Sequence, residues 1–341
     1  MSAFICEQKA AGFAVELVCR TLGVSRSAYY QRATGERSAR AVQDARLLER
    51  IGEVHEANYC AYGYRRTWKA LLRAGEAVGR DRVTRLMRSE GIQGAKRRGK
   101  RWQTTTPDPH AGRRPDLVER DFTATAPDRL YVADFTYLRC WEGLVFLAFV
   151  IDVFSRRVVG WQLTSHMRAS LVCDALRMAV STRARGADVA LVHHSDRGSQ
   201  YTSFEFTQVL DDHRVLQSVG SVGDAYDNAL AESFVDTIKT ELIADRVWRT
   251  RSQLELAIVE YLGWFNDARL HESIGDIPPA EFEQRHATKA AISGNGSLAE
   301  LSPRPADRLY APRLERERAS KPQTALSGTT DQGPASPAHR H

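Results

Sequence analysis

The sequence predicts an α/β fold: a mixed five-stranded sheet with flanking helices, preceded by an all-α region. Three observations carry this. The stretch from 129 onward alternates short apolar runs with amphipathic segments. The first 93 residues hold paired helical patterns with no strand texture. The charge splits between the two parts: residues 1–120 carry 24 Lys plus Arg against 13 Asp plus Glu, a net of +11, and the remainder carries 24 against 29, a net of −5. A basic front joined to an acidic body points to a polyanion-binding region ahead of a domain with other work.

The helical part comes first. Residues 10–32 read as two helices broken at "LGVS" (22–25), with "AAGFAVELVCRT" as the first and Ser25 as N-cap of the second. A helix, a short glycine turn and a second helix is the helix-turn-helix pattern. It recurs in "GYRRTWKALLRAG" (63–75) and "GRDRVTRLMRSEG" (79–91), where Val83, Leu86 and Met87 form an apolar stripe and Arg80, Arg82, Arg85 and Arg88 cover the rest. The layout is then 1–40 for the first module, 41–93 for the second and 94–125 for a basic linker. That linker contains Lys96, Arg97 and Arg98 beside Thr, Pro and Gly and lacks periodicity, as expected of chain lying along phosphates.

The sheet follows over 126–285. "RLYVADFTYL" (129–138), "LVFLAFVIDVF" (144–154) and "RRVVGWQLT" (156–164) are three strands in a meander. "SLVCDALRMAVSTRA" (170–184) is an amphipathic helix, "VALVHH" (189–194) a fourth strand, "SFEFTQVLDDH" (203–213) a helix and "VLQSVG" (215–220) a fifth strand. "DNALAESFVDTIKTELI" (227–243) is a helix. Residues 286–341, rich in Ala, Ser, Pro and Gly, are expected to be disordered.

Composition excludes several classes. The five cysteines form no CxxC pair, so a disulfide framework or zinc site is not expected and a reducing cytosol fits. No apolar run approaches the length of a membrane span, and the N-terminus lacks the pattern of a secretion signal.

Three acids stand out by position. Asp134 interrupts an apolar strand, where an unpaired carboxylate is costly. Asp196 sits where the fourth strand ends, in "HHSDRGSQY" (193–201), and Glu232 lies in the helix that starts near Asp227. If the first and fourth strands are neighbours and the helix crosses them, three oxygen donors converge. Hard donors of this kind suit Mg²⁺ or Mn²⁺, and a pair of such ions serves phosphodiester chemistry. Asp152 also ends a strand, but in "IDVFSRR" it reads as a turn former or partner of the arginines.

The wording around these acids resembles a known family. Asp134, Asp196 and Glu232, with 35 residues between the last two, are similar to the DDE signature of transposases and retroviral integrases, and Lys239, seven after Glu232, to the basic residue that follows it there. "HSDRGSQYTS", "DNALAESFVDTIKTEL", "FVIDVFSRRVVGW", "YGYRR" and "WFNDARLHESIG" resemble the second-frame (OrfB) product of the IS-three family of bacterial insertion sequences, over about 10–285. Tyr131 stands where that family commonly has tryptophan.

The resemblance implies a ribonuclease-H-like core, with the triad as catalytic residues and ligands of two Mg²⁺ or Mn²⁺ ions. It implies cleavage at element ends followed by joining of the 3′-hydroxyl to target DNA. It also implies a cytoplasmic, nucleoid-associated protein that forms a homo-oligomer on DNA, with the upstream-frame (OrfA) product as partner or fusion. The expected DNA contacts are Lys239, Gln200, Tyr201 and Asn228 near the cut, with Arg80, Arg82, Arg85, Lys96, Arg97 and Arg98 further out. A nuclease that cuts without joining and a non-catalytic DNA-binding regulator are the competing readings.

Overall fold

The structure, a computed structural model, describes residues 1–33, 37–96, 116–118, 121–183, 190–220, 229–244 and 246–294. Three short helices open the chain: α1 (Ser2–Ala10), α2 (Val15–Thr21) and α3 (Arg26–Ala33). They close over a small core of Ile5, Val15, Cys19 and Tyr29. The helix expected over "AAGFAVELVCRT" is shorter, Val15–Thr21, and a separate helix, α1, precedes it. Gly12 takes φ +91°, a left-handed conformation that stops α1 before α2 begins. Ser25 caps α3 as expected, its hydroxyl accepting from the Ala28 amide at 3.4 Å.

Helices α4 (Ala39–Ala57), α5 (Tyr64–Arg73) and α6 (Arg80–Ser89) share a second core of Leu47, Ile51, Leu71, Val83, Leu86 and Met87. The stripe read from α6 is therefore its packed face. The opposite side of α5 is docked. Arg65 pairs with Glu272 at 2.7 Å, Lys69 with Asp276 at 3.3 Å and Arg73 with Glu281 at 2.5 Å. These basic residues recur at four-residue spacing, so they form one ridge along the helix. Beneath them Tyr62, Ala61 and Leu270 are buried together, and the Leu270 amide donates to the Tyr62 hydroxyl at 2.8 Å.

The sheet has five strands: β1 (Leu130–Cys140), β2 (Gly143–Asp152), β3 (Val158–Thr164), β4 (Leu191–Ser195) and β5 (Val215–Val219). Their order is β3-β2-β1-β4-β5, antiparallel across the first three and parallel from β1 to β4 and β5. This is the mixed sheet read from the sequence, and the arrangement is ribonuclease-H-like. Helices α7 (Ala169–Thr182) and α8 (Phe204–Asp212) cover one face over Tyr131, Ala133, Ala148, Val150 and Val159. At Gly160 the approach of α7 is so close that a Cβ would stand 2.2 Å from the Ala175 carbonyl oxygen.

Helices α9 (Ala229–Ile238) and α10 (Arg251–Asp267) cover the other face, where the Phe234 ring packs on Phe149 at 4.6 Å and on Phe265 at 5.1 Å. A π turn, Lys239–Ile243, continues α9. Asp152 is structural, as its setting implied: its carboxylate accepts from the amides of Phe154 (2.8 Å), Ser155 (3.2 Å) and Asp128 (2.7 Å). The last helix among the described residues, α11 (Pro279–Gly294), corrects the expected start of disorder at 286, since residues up to Gly294 are helical. Glu283 fixes that helix by accepting both Arg183 Nη atoms, at 2.8 and 2.9 Å. The remainder of the expected disordered tail lies outside the described residues.

Candidate active site

Strand register brings the first two acids together. β1 and β4 are hydrogen-bonded neighbours, with Ala133 paired to Ser195. Asp134 and Asp196 directly follow that pair, on strands separated by about 5 Å. Period-two alternation turns Asp134 away from Ala133 and so away from the α7–α8 core, toward the side that α9 covers. Each carboxylate is held by backbone: the Phe135 amide donates to Asp134 Oδ1 at 2.8 Å and the Gly198 amide to Asp196 Oδ1 at 3.0 Å. Gly198 has a second role, because a Cβ there would meet Asp196 Oδ1 at 3.1 Å and Gln200 Oε1 at 3.3 Å.

Glu232 lies in the first turn of α9, the helix that packs over β1. Burial pushes the Asp134 carboxyl up to about 8, and the Asp196 and Glu232 carboxylates push in the same direction, while the Phe135 amide and Lys239 oppose them. The three acids therefore share one electrostatic field. Among the described residues no three His, Cys, Asp or Glu side chains form a ready-made metal cage. The donor chemistry nonetheless fits a hard divalent cation: three carboxylates, one of them destabilised by the other two, with oxygen as the only ligand atom.

Lys239 opens the π turn with its ammonium over the Tyr137 ring, 4.9 Å from the centroid. Burial lowers its pKa, against the attraction of Asp236 and Asp134. The lysine is thus within electrostatic reach of Asp134.

Other expected contacts are placed differently. Tyr201 is corrected: it is 1% exposed, packed on Phe206 and His193 beneath the carboxylates, and cannot touch DNA from there. Its ring belongs to the α7–α8 core, since the loop after Gly198 folds back and returns the chain to the sheet. Gln200 stays at the surface and donates to the Met167 carbonyl at 3.2 Å. Arg82 and Arg85 both reach Asp44 of α4, at 2.7 and 2.6 Å, so their charge is partly offset within the module. Arg80 is exposed beside Asp81, and Lys96 is exposed beside Gln93. Asn228, Arg97 and Arg98 lie outside the described residues.

Sequence reasoning missed a buried polar cluster behind the site. Glu241, in the π turn, accepts from Arg269 Nη2 at 2.6 Å, Arg269 Nε at 2.9 Å and the Tyr261 hydroxyl at 2.8 Å, with Arg66 of α5 at 3.5 Å. The sequence did carry a signal: Glu241 falls seven residues after Phe234 and three after Ile238, on the buried face of the helix, where an acid needs a partner.

Comparison with known proteins accords with this geometry. Family models described as integrase core domain match residues 124–225 and 213–279, and a model described as HTH-like domain matches 42–101. The chain is 44% identical over 264 residues to a putative transposase for insertion sequence element IS986/IS6110 of Mycobacterium tuberculosis, covering 76% of this chain and 95% of that one. It is 41% identical over 292 residues to the transposase for IS629 of Shigella sonnei, covering 84% and 96%.

The chain belongs to the IS-three family of insertion-sequence transposases.

A further relative, the transposase InsF for insertion sequence IS3A of Escherichia coli, is 31% identical over 289 residues, covering 82% of this chain and 97% of its own. A solved HTLV-2 integrase catalytic core shares 15% identity at a TM-score of 0.35, covering 47% of this chain and 98% of that one, too distant to carry an inference. The transposase is a DDE-type polynucleotidyl transferase that acts on DNA, and its integrase core implies dependence on divalent metal. The integrase-core matches take in the sheet, α9 and α10, and the HTH-like match takes in α4–α6. No helix among the described residues is long and apolar enough to cross a membrane.

Proposed function

We propose that the transposase cuts a strand at each element end and joins the freed 3′-hydroxyl to target DNA, with Asp134, Asp196 and Glu232 as catalytic residues and ligands of two Mg²⁺ or Mn²⁺ ions. The observation that carries this reading is the parallel Ala133–Ser195 register, which sets Asp134 beside Asp196 under the shared field of Glu232. When bound, the ions supply charge compensation at the phosphate and lower the pKa of the attacking hydroxyl.

In the first step a water oxygen bonds to phosphorus and the 3′-oxygen leaves as a hydroxyl. In the second, that 3′-oxygen bonds to a target phosphorus and the target's own 3′-oxygen leaves. No covalent protein intermediate is required. The sheet holds the two aspartates rigidly, the bare Gly198 leaves room beside Asp196, and Lys239 holds a phosphate or base near the cut. Gln200 at the rim, with Asn228, completes the contacts close to the cut. Arg80, Arg82, Arg85, Lys96, Arg97 and Arg98 bind backbone further away, in a layout of helical modules (1–40 and 41–93), basic linker (94–125) and core from 126. The active form is a homo-oligomer on paired ends, aided by the upstream-frame product, in the nucleoid.

A strand-transfer assay with labelled element ends and Mg²⁺ tests this, run with and without the upstream-frame product. Asp134→Asn and Asp196→Asn should each abolish cleavage and joining while DNA binding persists. Cleavage without joined product would favour the nuclease reading. Asparagine variants that cut at the parental rate would refute the triad.

A further inference from the structure

Lys239 sits on a flexible four-carbon stem whose freedom opposes any single placement. Two features of the structure restrict it. Its backbone opens the π turn that Glu241 anchors two residues later in the buried contacts to Arg269 and Tyr261. Its ammonium rests over the half-buried ring of Tyr137, 4.9 Å from the centroid. Tyr137 lies three residues beyond Asp134 on the same strand, so the two side chains leave β1 on opposite faces, and the contact with the ring keeps the ammonium off the carboxylate.

This geometry resolves a conflict within the site. Asp236 and, after it, Asp134 both attract the Lys239 ammonium. An ammonium seated on the Asp134 carboxylate would occupy an oxygen that the metal requires and would leave no charge for DNA. An aromatic face attracts a cation without neutralising it. With one side of the ammonium against the ring, its N–H donors on the other side remain available to a phosphate oxygen.

We propose that Tyr137 is a positioning residue for Lys239, its ring holding the ammonium beside the triad and off Asp134 so that it meets the DNA phosphate near the cut. The proposal rests on the reading of Lys239 as a DNA contact, and the test separates the two.

The probe is a duplex oligonucleotide carrying the terminal repeat present in the DNA flanking the gene. Kd is measured against KCl concentration, and strand transfer is followed in Mg²⁺, for the full chain and for Lys239→Ala, Tyr137→Phe, Tyr137→Leu and the Lys239→Ala/Tyr137→Leu double variant. Tyr137→Phe, which keeps the ring, should match the parent. Tyr137→Leu should raise Kd about threefold to tenfold and reduce the salt slope by roughly one counterion, as loss of one phosphate contact does. The double variant should be no worse than Lys239→Ala, because the ring acts only through the lysine. Thermal melts report on folding; if Tyr137→Leu melts early, Tyr137→Met carries the same comparison.

Lys239→Ala with the parental Kd, slope and rate would overturn the reading of the lysine itself, whatever Tyr137 does. A defective Lys239→Ala alongside a parental Tyr137→Leu, or additive losses in the double variant, would overturn the role of Tyr137 alone.

Discussion

Arg269 grips Glu241 at two points, Nη2 to Oε1 at 2.6 Å and Nε to Oε2 at 2.9 Å, with both side chains almost wholly buried. Removing one partner strands the other charge. Arg269→Leu should therefore cost about 3–5 kcal/mol of stability, the range for a broken buried pair. Adding Glu241→Leu should recover part of that loss, since no carboxylate then remains unpaired. Urea unfolding of the two variants checks this; equal midpoints for the single and double variants would show that the pair is not coupled.

Gly198 is set by the carboxylate next to it. An alanine Cβ there would crowd Asp196 Oδ1 at 3.1 Å, and the oxygen would have to yield by a few tenths of an ångström. Misplacement on that scale is a catalytic defect before it is a folding defect. Gly198→Ala is expected to slow strand transfer roughly tenfold or more while leaving the melting temperature nearly unchanged. Parental rates for this variant would show that Asp196 tolerates the shift.

His193 links folding to pH. Burial, followed by its neighbour His194, pushes its pKa down to about 3, so the folded protein keeps it neutral. The unfolded chain takes up this proton as pH falls below 6.5 and the folded one does not, so the group's contribution to stability is lost from pH 6.5 toward 3. Asp134 and Asp152, raised to about 8 and about 6, act in the opposite direction over part of that range, so total stability does not isolate the histidine. The difference from His193→Phe does. As pH falls below 6.5, that variant should gain on the parent by about 1.4 kcal/mol per pH unit, the value of one proton. A pH-independent gap between the two denaturation curves would contradict the neutral assignment.

Asp44 offsets the two arginines of α6 that face it, Arg82 at 2.7 Å and Arg85 at 2.6 Å. If α6 meets phosphates, Asp44→Asn should tighten binding of duplex DNA at low salt by about threefold to tenfold, with the gain fading as salt screens the surface. Fluorescence anisotropy over a KCl series measures it. Unchanged affinity at every salt concentration would place the DNA-binding surface elsewhere on the module.

The sequence alone determined the order of the strands and helices that build the sheet, and it singled out the acids proposed for the site. Short apolar runs between 129 and 219, bounded by polar turns, specify strands of a sheet covered on both faces, where successive residues are buried. The meander followed by helix–strand repeats admits few sheet orders. Asp134 was legible because a carboxylate within an apolar strand conflicts with its surroundings, and Asp196 because it ends one. Wherever side-chain fate depends on contacts distant in the chain, local pattern was insufficient. Tyr201 reads as a rim residue in "RGSQY", yet the loop folds it under the sheet against Phe206. Arg65, Lys69 and Arg73 meet Glu272, Asp276 and Glu281, some two hundred residues away, pairs that no local pattern specifies. Glu241 lies on the apolar face of its helix, but its partner Arg269, 28 residues on, is found only in the folded chain. Periodicity records which face of an element is buried. It contains no information on which charges will find one another when distant segments dock, and only the tertiary structure decided that.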